Sequence, residues 1–266
     1  VRRLNEPQVA GVIAEAFAIR ASTATRSSLH AQHGAALFVG LDADVVVGEP
    51  GRTPIAGRAV VVAPDRAHAA VSPGPTLGML FDPERMPHVA AFARAGDGAF
   101  ALTGRLGARV REAALAQRAA IFEASTLAGI AEETAAMFAA SRDRDVDHEW
   151  PRRLDRRVAA VARRLREPHV DHGQTSLRVD VGDAHLRALF ARDVGLPMRT
   201  YRLWHRLLRA LRRLAETDAT AAAHAAGFAD LAHFSRTCRR MLGYTPTVLR
   251  RGELSTAANA PSLRPA

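Results

Sequence analysis

The chain contains no lysine; all 37 of its basic residues are Arg. It has one cysteine, Cys238, and only 2 Trp and 2 Tyr among its 266 residues. A single cysteine excludes an intrachain disulfide and any multi-cysteine metal cluster, and it makes a reducing compartment the natural setting. No run approaches the ~18 consecutive apolar residues that a membrane-spanning helix needs. The opening stretch, VRRLNEPQVAGVIAEAFAIR, starts basic, but Glu6, Glu15 and Arg20 interrupt it before a signal-peptide core can form. These absences predict a cytoplasmic protein with no membrane contact.

What the chain does have is charge, unevenly placed. Residues 1–148 hold 15 Arg against 16 acidic residues, and residues 149–266 hold 22 Arg against 11, so the net +10 belongs to the back half. Arg suits phosphate forks and guanine edges, although complete replacement of Lys is better explained by codon bias than by chemistry. A near-neutral front joined to a basic back reads as a sensing or assembly module on a polyanion binder. With 48% hydrophobic residues there is material for a real core and one or two domains.

The first ~80 residues show short β-rich runs: ALFV (36–39), DVVV (44–47), AVVV (59–62) and LGMLF (77–81). Turn chemistry separates them, at Gly40-Leu-Asp, Gly48-Glu-Pro-Gly51, Pro64-Asp65 and Ser72-Pro-Gly-Pro75. Such spacing predicts a β-sandwich or barrel. Asp82-Pro83-Glu84 is a helix-start signal, after which Ala108 to Ala140 carries amphipathic spacing, including Val110, Leu115, Ile121, Phe122, Ile130 and Phe138. The expected class is α+β: a β-rich domain over 1–82, a helical dimerisation or linker segment over 83–150, an all-α domain over 151–252 and a disordered tail over 253–266. The apolar residues of 108–140 suit dimer contacts or packing on their own β-domain equally well.

The last helical stretch, HAAGFADLAHFSRTCRRMLGYTPTVLRRG, carries the most information. Asp230 is placed to cap a helix running to about Leu242. Along it Leu231, Phe234, Cys238 and Leu242 form one stripe, while Ala232, His233, Arg236 and Arg240 lie opposite with Arg239 on the flank. The preceding Ala-rich helix ends at Gly227, and small side chains allow close approach. A small helix, a Gly turn and a second helix with a basic outer face make a helix-turn-helix. Gly243-Tyr-Thr-Pro246 stops that helix, and Thr245 is placed to cap a last short one.

This segment resembles the signature of AraC/XylS-type bacterial transcription regulators. The shared residues are Gly227, Phe228, Asp230, His233, Phe234, Ser235, Arg236, Arg239, Arg240, Gly243, Thr245 and Pro246; the departures are Ala232, usually Ser, and Cys238, usually Phe. The resemblance implies two helix-turn-helix units joined by a long helix. PMRTYRLWHRLLRALRRLAE (197–216) supplies that helix, with Pro197 near its start and a stripe of Leu203, Trp204, Leu207, Leu208, Leu211 and Leu214. VGDAHLRALFARDVG (181–195) supplies the first recognition helix, burying Leu186, Leu189 and Phe190 and presenting Ala184, Arg187 and Ala188. Ala188 stands where the family usually has an outward Arg, and SLRVDV leaves the preceding support helix about five residues short. The first unit is therefore expected to be the weaker reader.

The residues expected at double-stranded DNA sort by chemistry. Arg199, Arg202, Arg239, Arg240, Arg250 and Arg251 suit phosphates, and Arg236 and Arg187 suit guanine edges. Ala184, Ala232 and Ser235 complete the outward set, and His233 is expected to pack at the helix corner more than to touch DNA. The resemblance also implies RNA polymerase as a partner, with activation as the outcome, and a homodimer.

LHAQHGAALFVGLDADVVV and AGRAVVVAPDRAH resemble the cupin-like sensor domain often attached to such regulators. His30, His33 and His68 are the candidate ligands for a divalent metal. The set is incomplete: a usual His is Gln32, a usual carboxylate or Gln position is Ala36, and the spacing is His-x-x-His. A small-molecule effector without a metal is the favoured expectation, and a domain serving assembly alone stays open. No catalytic residue or required cofactor is expected. The rival reading is a cupin-type metalloenzyme with a basic nucleic-acid-binding appendage, which leaves the charge of the back half unexplained.

Overall fold

The computed structural model describes residues 8–141, 154–167, 182–250 and 253–256. Its front half holds strands β1 (Val9–Ile13), β2 (Phe17–Ser22), β3 (Thr25–Arg26), β4 (Ala35–Gly40), β5 (Val45–Gly48), β6 (Ile55–Gly57), β7 (Ala59–Val62), β8 (Ala69–Ser72) and β9 (Thr76–Phe81). Helix α1 (Pro87–Arg94), strand β10 (Ala99–Ala101) and helices α2 (Gly104–Ala116) and α3 (Ala124–Ala140) follow. A seven-stranded sheet runs β10-β7-β4-β9-β2-β1-β11, its last member being Glu253–Thr256, and a four-stranded sheet runs β3-β8-β5-β6. Every pairing among the described strands is antiparallel except β1 with β11.

The period of two along each strand decides which layer each side chain joins. On β4 and β7, Leu37, Val39, Ala59 and Val61 face one way, into a core shared with Leu106, Val110, Leu127, Ile130 and Phe138 of the helices. Their neighbours Ala36, Val60 and Val62 face the other way and meet Val45, Val47 and Ala70 of the small sheet. β7 is therefore buried at all four positions, which is why AVVV is a continuous apolar run. The front domain is three layers deep: helices, large sheet, small sheet. That is a cupin-like sandwich with a helical cover.

The helical segment is thus part of the same core. Ile121 is buried, and Leu115 and Phe122 pack on it, so these residues serve their own domain. β10 lies inside the stretch expected to be helical and pairs with β7. Asp82 does not open α1: its Oδ1 accepts from the N–H groups of Glu84 and Arg85, which forms a tight turn ahead of Pro87. Where a disordered tail was expected from residue 253, the first four residues form β11 against β1. The rest of that tail, and residues 142–153 between α3 and the next helix, lie outside the described residues.

The back half holds α4 (Arg156–Arg166), α5 (Asp183–Val194), α6 (Met198–Leu214), α7 (Ala219–Ala225), α8 (Leu231–Leu242) and α9 (Pro246–Arg250). α4, α5 and the start of α6 close a small core of their own around Val158, Val161, Leu165, Leu189, Phe190 and Tyr201. The second unit builds its core from Trp204, Leu207, Leu211, Phe228, Phe234, Cys238 and Met241, together with Ile13 of β1. Ala18 and Leu80 of the large sheet pack on that cluster too. Ile13 and Leu80 alternate along their strands with Val12 and Met79, which face the helical cover. One end of the large sheet is thus covered by the small sheet and the other by the second helix-turn-helix.

Candidate nucleic-acid interface

The second unit is built by local signals that act together. The Asp218 carboxylate caps α7 by accepting from the N–H groups of Thr220 and Ala221. Ala222 and Ala223 are buried on α7's inner side, so the neighbouring helix can come close. Gly227 turns the chain with φ +82°, a left-handed conformation that side-chain-bearing residues resist. Asp230 Oδ1 then accepts from the His233 N–H at 2.6 Å and starts α8.

On α8 the buried residues are Phe234, Thr237, Cys238 and Met241. The expected stripe is rotated slightly: Leu231 is 39% exposed and Thr237 takes its place in the core. The opposite face presents Ala232, Arg236, Arg239 and Arg240 to solvent, with Ser235 half-buried at its margin. His233 packs edge-on against the Phe228 ring, centroids 5.1 Å apart, as expected of a corner residue. Burial pushes the Cys238 thiol well above its ordinary range, so it behaves as an apolar wedge beside Phe234.

α6 is a 17-residue helix, about 25 Å long at 1.5 Å per residue, and it joins the two units. Pro197 sits one residue before its first turn, as the cap. At its start Arg199 is exposed and Arg202 half-buried. In the first unit α5 buries Leu186, Leu189 and Phe190 and leaves Ala184, Arg187 and Ala188 outside. Arg187 is 3.5 Å from Asp183 one turn earlier, so a carboxylate already competes for its guanidinium. Arg250 is exposed on α9. Arg251 and the short support helix before α5 lie outside the described residues.

Two contacts of different chemistry tie these units to the front domain. At the end of α8, the Ala31 N–H donates to the Arg240 carbonyl at 3.2 Å, and the Ser28 N–H and hydroxyl donate to the Gly243 carbonyl at 3.1 and 3.0 Å. Gly243 has φ +76°, and a Cβ there would stand 2.7 Å from His30 Nδ1. The approach is thus closed to any larger residue. Beside it, Arg20 lies over the Tyr244 ring at 4.5 Å and donates to its hydroxyl at 3.2 Å.

At the first unit the contact is buried and ionic. The two ring N–H groups of His33 donate to Asp65 at 3.2 Å and to Glu84 at 3.0 Å. Burial opposes the charge on this ring, but the two carboxylates outweigh it and raise the His33 pKa to about 9. Glu84 also accepts from the Tyr201 hydroxyl at 3.3 Å and lies 3.6 Å from Arg166, whose Nε donates to the same hydroxyl at 2.7 Å. Burial works against ionisation of Glu84, yet the hydrogen bond from His33 and the charges around it hold its pKa low. Its neighbour Asp82 is raised instead, by burial and by the Glu84 charge.

The three candidate metal histidines do not converge. His30 and His68 exchange backbone hydrogen bonds at 3.0 and 2.8 Å, and their rings lie 4.3 Å apart. Each turns its Nδ1 to a local carbonyl, of Ser28 and Arg66 respectively. His33 has both nitrogens committed to the ionic cluster. With both His33 nitrogens engaged, the three rings offer no common ligand point among the described residues, and the cupin-type metalloenzyme lacks the ligand set it required there.

Two cavities flank the domain contact. An apolar one of about 130 Å³ runs between the sheet and the second unit, with Ile19, Phe38, Met79, Leu208, Leu211 and Tyr244 among its walls and Arg20, His30 and Gln32 among its polar groups. A polar cleft of about 550 Å³ has Arg199 and Arg240 on one side and His33 and Asp65 on the other.

This arrangement, two helical units on one long helix joined to a cupin-like domain, resembles that of the AraC-type regulators. Residues 175–252 match the family model of a helix-turn-helix domain. Over the whole chain the fold is similar to that of ToxT from Vibrio cholerae: one structure superposes with TM-score 0.51 at 7% identity, covering 89% of this chain and 98% of that one. A second, from strain O395, gives TM-score 0.50 at 7% identity, covering 92% and 96%. A weaker likeness, TM-score 0.35 at 10% identity over 88% of this chain and 74% of the other, is to the AraC-like transcriptional activator CuxR. No curated protein sequence matches the chain. Among the described residues no helix is long and apolar enough to cross a membrane.

Proposed function

We propose that the protein is a cytoplasmic transcription activator that reads its operator chiefly through α8, with the front domain sensing a small apolar effector. The observation that carries this reading is the two-faced α8: Phe234, Thr237, Cys238 and Met241 are buried, while Ala232, Arg236, Arg239 and Arg240 are presented together. Arg236 then forks to a guanine edge, and Arg199, Arg202, Arg239, Arg240, Arg250 and Arg251 neutralise phosphates. Ser235 borders that face. His233 supports the corner. Ala184 and Arg187 of α5 make the lesser contribution, since Arg187 must first leave Asp183. The apolar cavity supports an effector of small size, and Leu208, Leu211 and Tyr244 in its wall would carry occupancy to the second unit. RNA polymerase recruitment and homodimerisation complete the proposal.

A nuclease footprint on DNA around the protein's own gene, at near-physiological salt, tests it. Protection of about two turns per protomer means both units engage, and about one turn means α8 reads alone. Binding that survives scrambling of the protected sequence would reduce the protein to a nonspecific polyanion binder.

A further inference from the structure

Asp82 Oδ2 and His205 Nε2, both at the ionic contact, are among the buried polar atoms with no hydrogen-bond partner among the described residues. Both side chains are more than nine-tenths buried, at 5% and 7% exposure. An unsatisfied donor or acceptor in such a place is rare, because its lost hydration is not returned. Here there are two, one from each domain. One donor atom each of Asp82, Glu84 and His205 lies within 4.8 Å of the other two, close enough to share a single ion.

We propose that Asp82, Glu84 and His205 form a divalent transition-metal site that clamps the front domain to α6. Two carboxylates and one imidazole make a mixed oxygen–nitrogen set, which suits zinc or manganese better than magnesium. The outer contacts are those that orient metal ligands. Asp82 Oδ1 is fixed by the Glu84 and Arg85 N–H groups, both at 3.0 Å, which leaves Oδ2 as the free donor. Glu84 is held by His33 through Oε1 and by Tyr201 through Oε2. His205 is held by its ring contact with Tyr201, centroids 4.4 Å apart. His33 and Arg166 cover Glu84, but neither bonds to Asp82 Oδ2. Of the three histidines expected as cupin-like ligands, His33 borders this site through its bond to Glu84.

Its position gives the metal a consequence. Asp82 and Glu84 belong to the turn between β9 and α1, and His205 sits midway along the helix that spaces the two reading units. An ion there would fix α6 on the front domain and hold the units in one relative position. This regulatory consequence rests on the DNA-binding reading; the binding site itself does not.

The test is titration of the metal-free full chain with Zn2+ against a chromophoric chelator, with Mg2+ as a control. One equivalent of Zn2+ per chain is expected, bound far more tightly than Mg2+. His205→Gln and Asp82→Asn should each weaken it by more than the roughly 10–100-fold that an outer-contact change costs. His30→Gln and His68→Gln should leave it unchanged. Should Asp82→Asn fail to fold, His205→Gln and Glu84→Gln carry the same comparison. No stoichiometric Zn2+, or equal affinity in His205→Gln, would overturn the site and leave a bridging water or shared proton to satisfy the two atoms. A footprint with and without Zn2+ then reads the clamp separately: metal bound with no change at DNA overturns the regulatory role alone.

Discussion

The two helical units of the back half are joined to the same front domain by opposite chemistry. The second shares an apolar core with the large sheet, through Ile13, Ala18 and Leu80. The first closes a core of its own and meets the front domain through buried charges, Glu84 with Tyr201 and Arg166. Apolar contact is non-directional and tolerates small shifts, whereas a buried ionic contact holds only in one geometry and is strongly destabilised when one partner goes. The second unit is therefore an extension of the sheet domain, and the first is a separable body held by a latch.

The largest effects should come from the two cores. Phe190→Ala and Phe234→Ala each remove a fully buried ring at a cost of about 3–5 kcal/mol. They should differ in reach. In hydrogen exchange Phe190→Ala should expose α4 and α5 alone, while Phe234→Ala should also lower protection in β1, β2 and β9. Equal spread in both would break the distinction. At DNA, Arg236→Ala should lose about 1–3 kcal/mol of operator affinity, roughly 5–150-fold, measured by fluorescence anisotropy. Arg187→Ala should lose clearly less, and equal losses would mean that the units read alike.

The latch itself comes next. Tyr201→Phe deletes the hydroxyl that accepts from Arg166 and donates to Glu84, at a cost of about 1–3 kcal/mol. Hydrogen exchange in α4 and at the start of α6 should accelerate, with no change at the Arg20–Tyr244 contact. The smallest effect should be Asp230→Ala, which removes the α8 cap for about 1 kcal/mol. Thermal melting should register it as a small shift, and Asp230→Asn should restore most of it.

Much of this molecule was readable along the chain, for a physical reason in each case. The α8 unit is written in local signals: Asp230 bonds three residues on, Gly227 and Gly243 supply positive φ, and the 3.6-residue period sorts Phe234 and Cys238 from Arg236 and Arg240. The strands at 36–39, 59–62 and 77–81 were equally local, since short apolar runs between Gly and Pro turns have few alternatives. Errors arose where the deciding partner was distant. Leu231 fits the apolar stripe by period, but it stays 39% exposed, because Thr237 takes the core position. Residues 253–256 look like a tail by composition, yet the open edge of β1 gives their backbone a partner. β10 is a strand for the same reason, at the opposite edge of that sheet.

The sequence by itself determined the helix-turn-helix, its basic face and the strand-rich front, because caps, turns and periodicity act over a few residues. Only the tertiary structure decided which histidines meet. His33, Asp65, Glu84 and Tyr201 are separated by 32, 51 and 168 positions along the chain from His33 onward, and no local rule relates them. They come together because α6 crosses the end of the sheet, and burial there leaves a charge no water to turn to, only another charge.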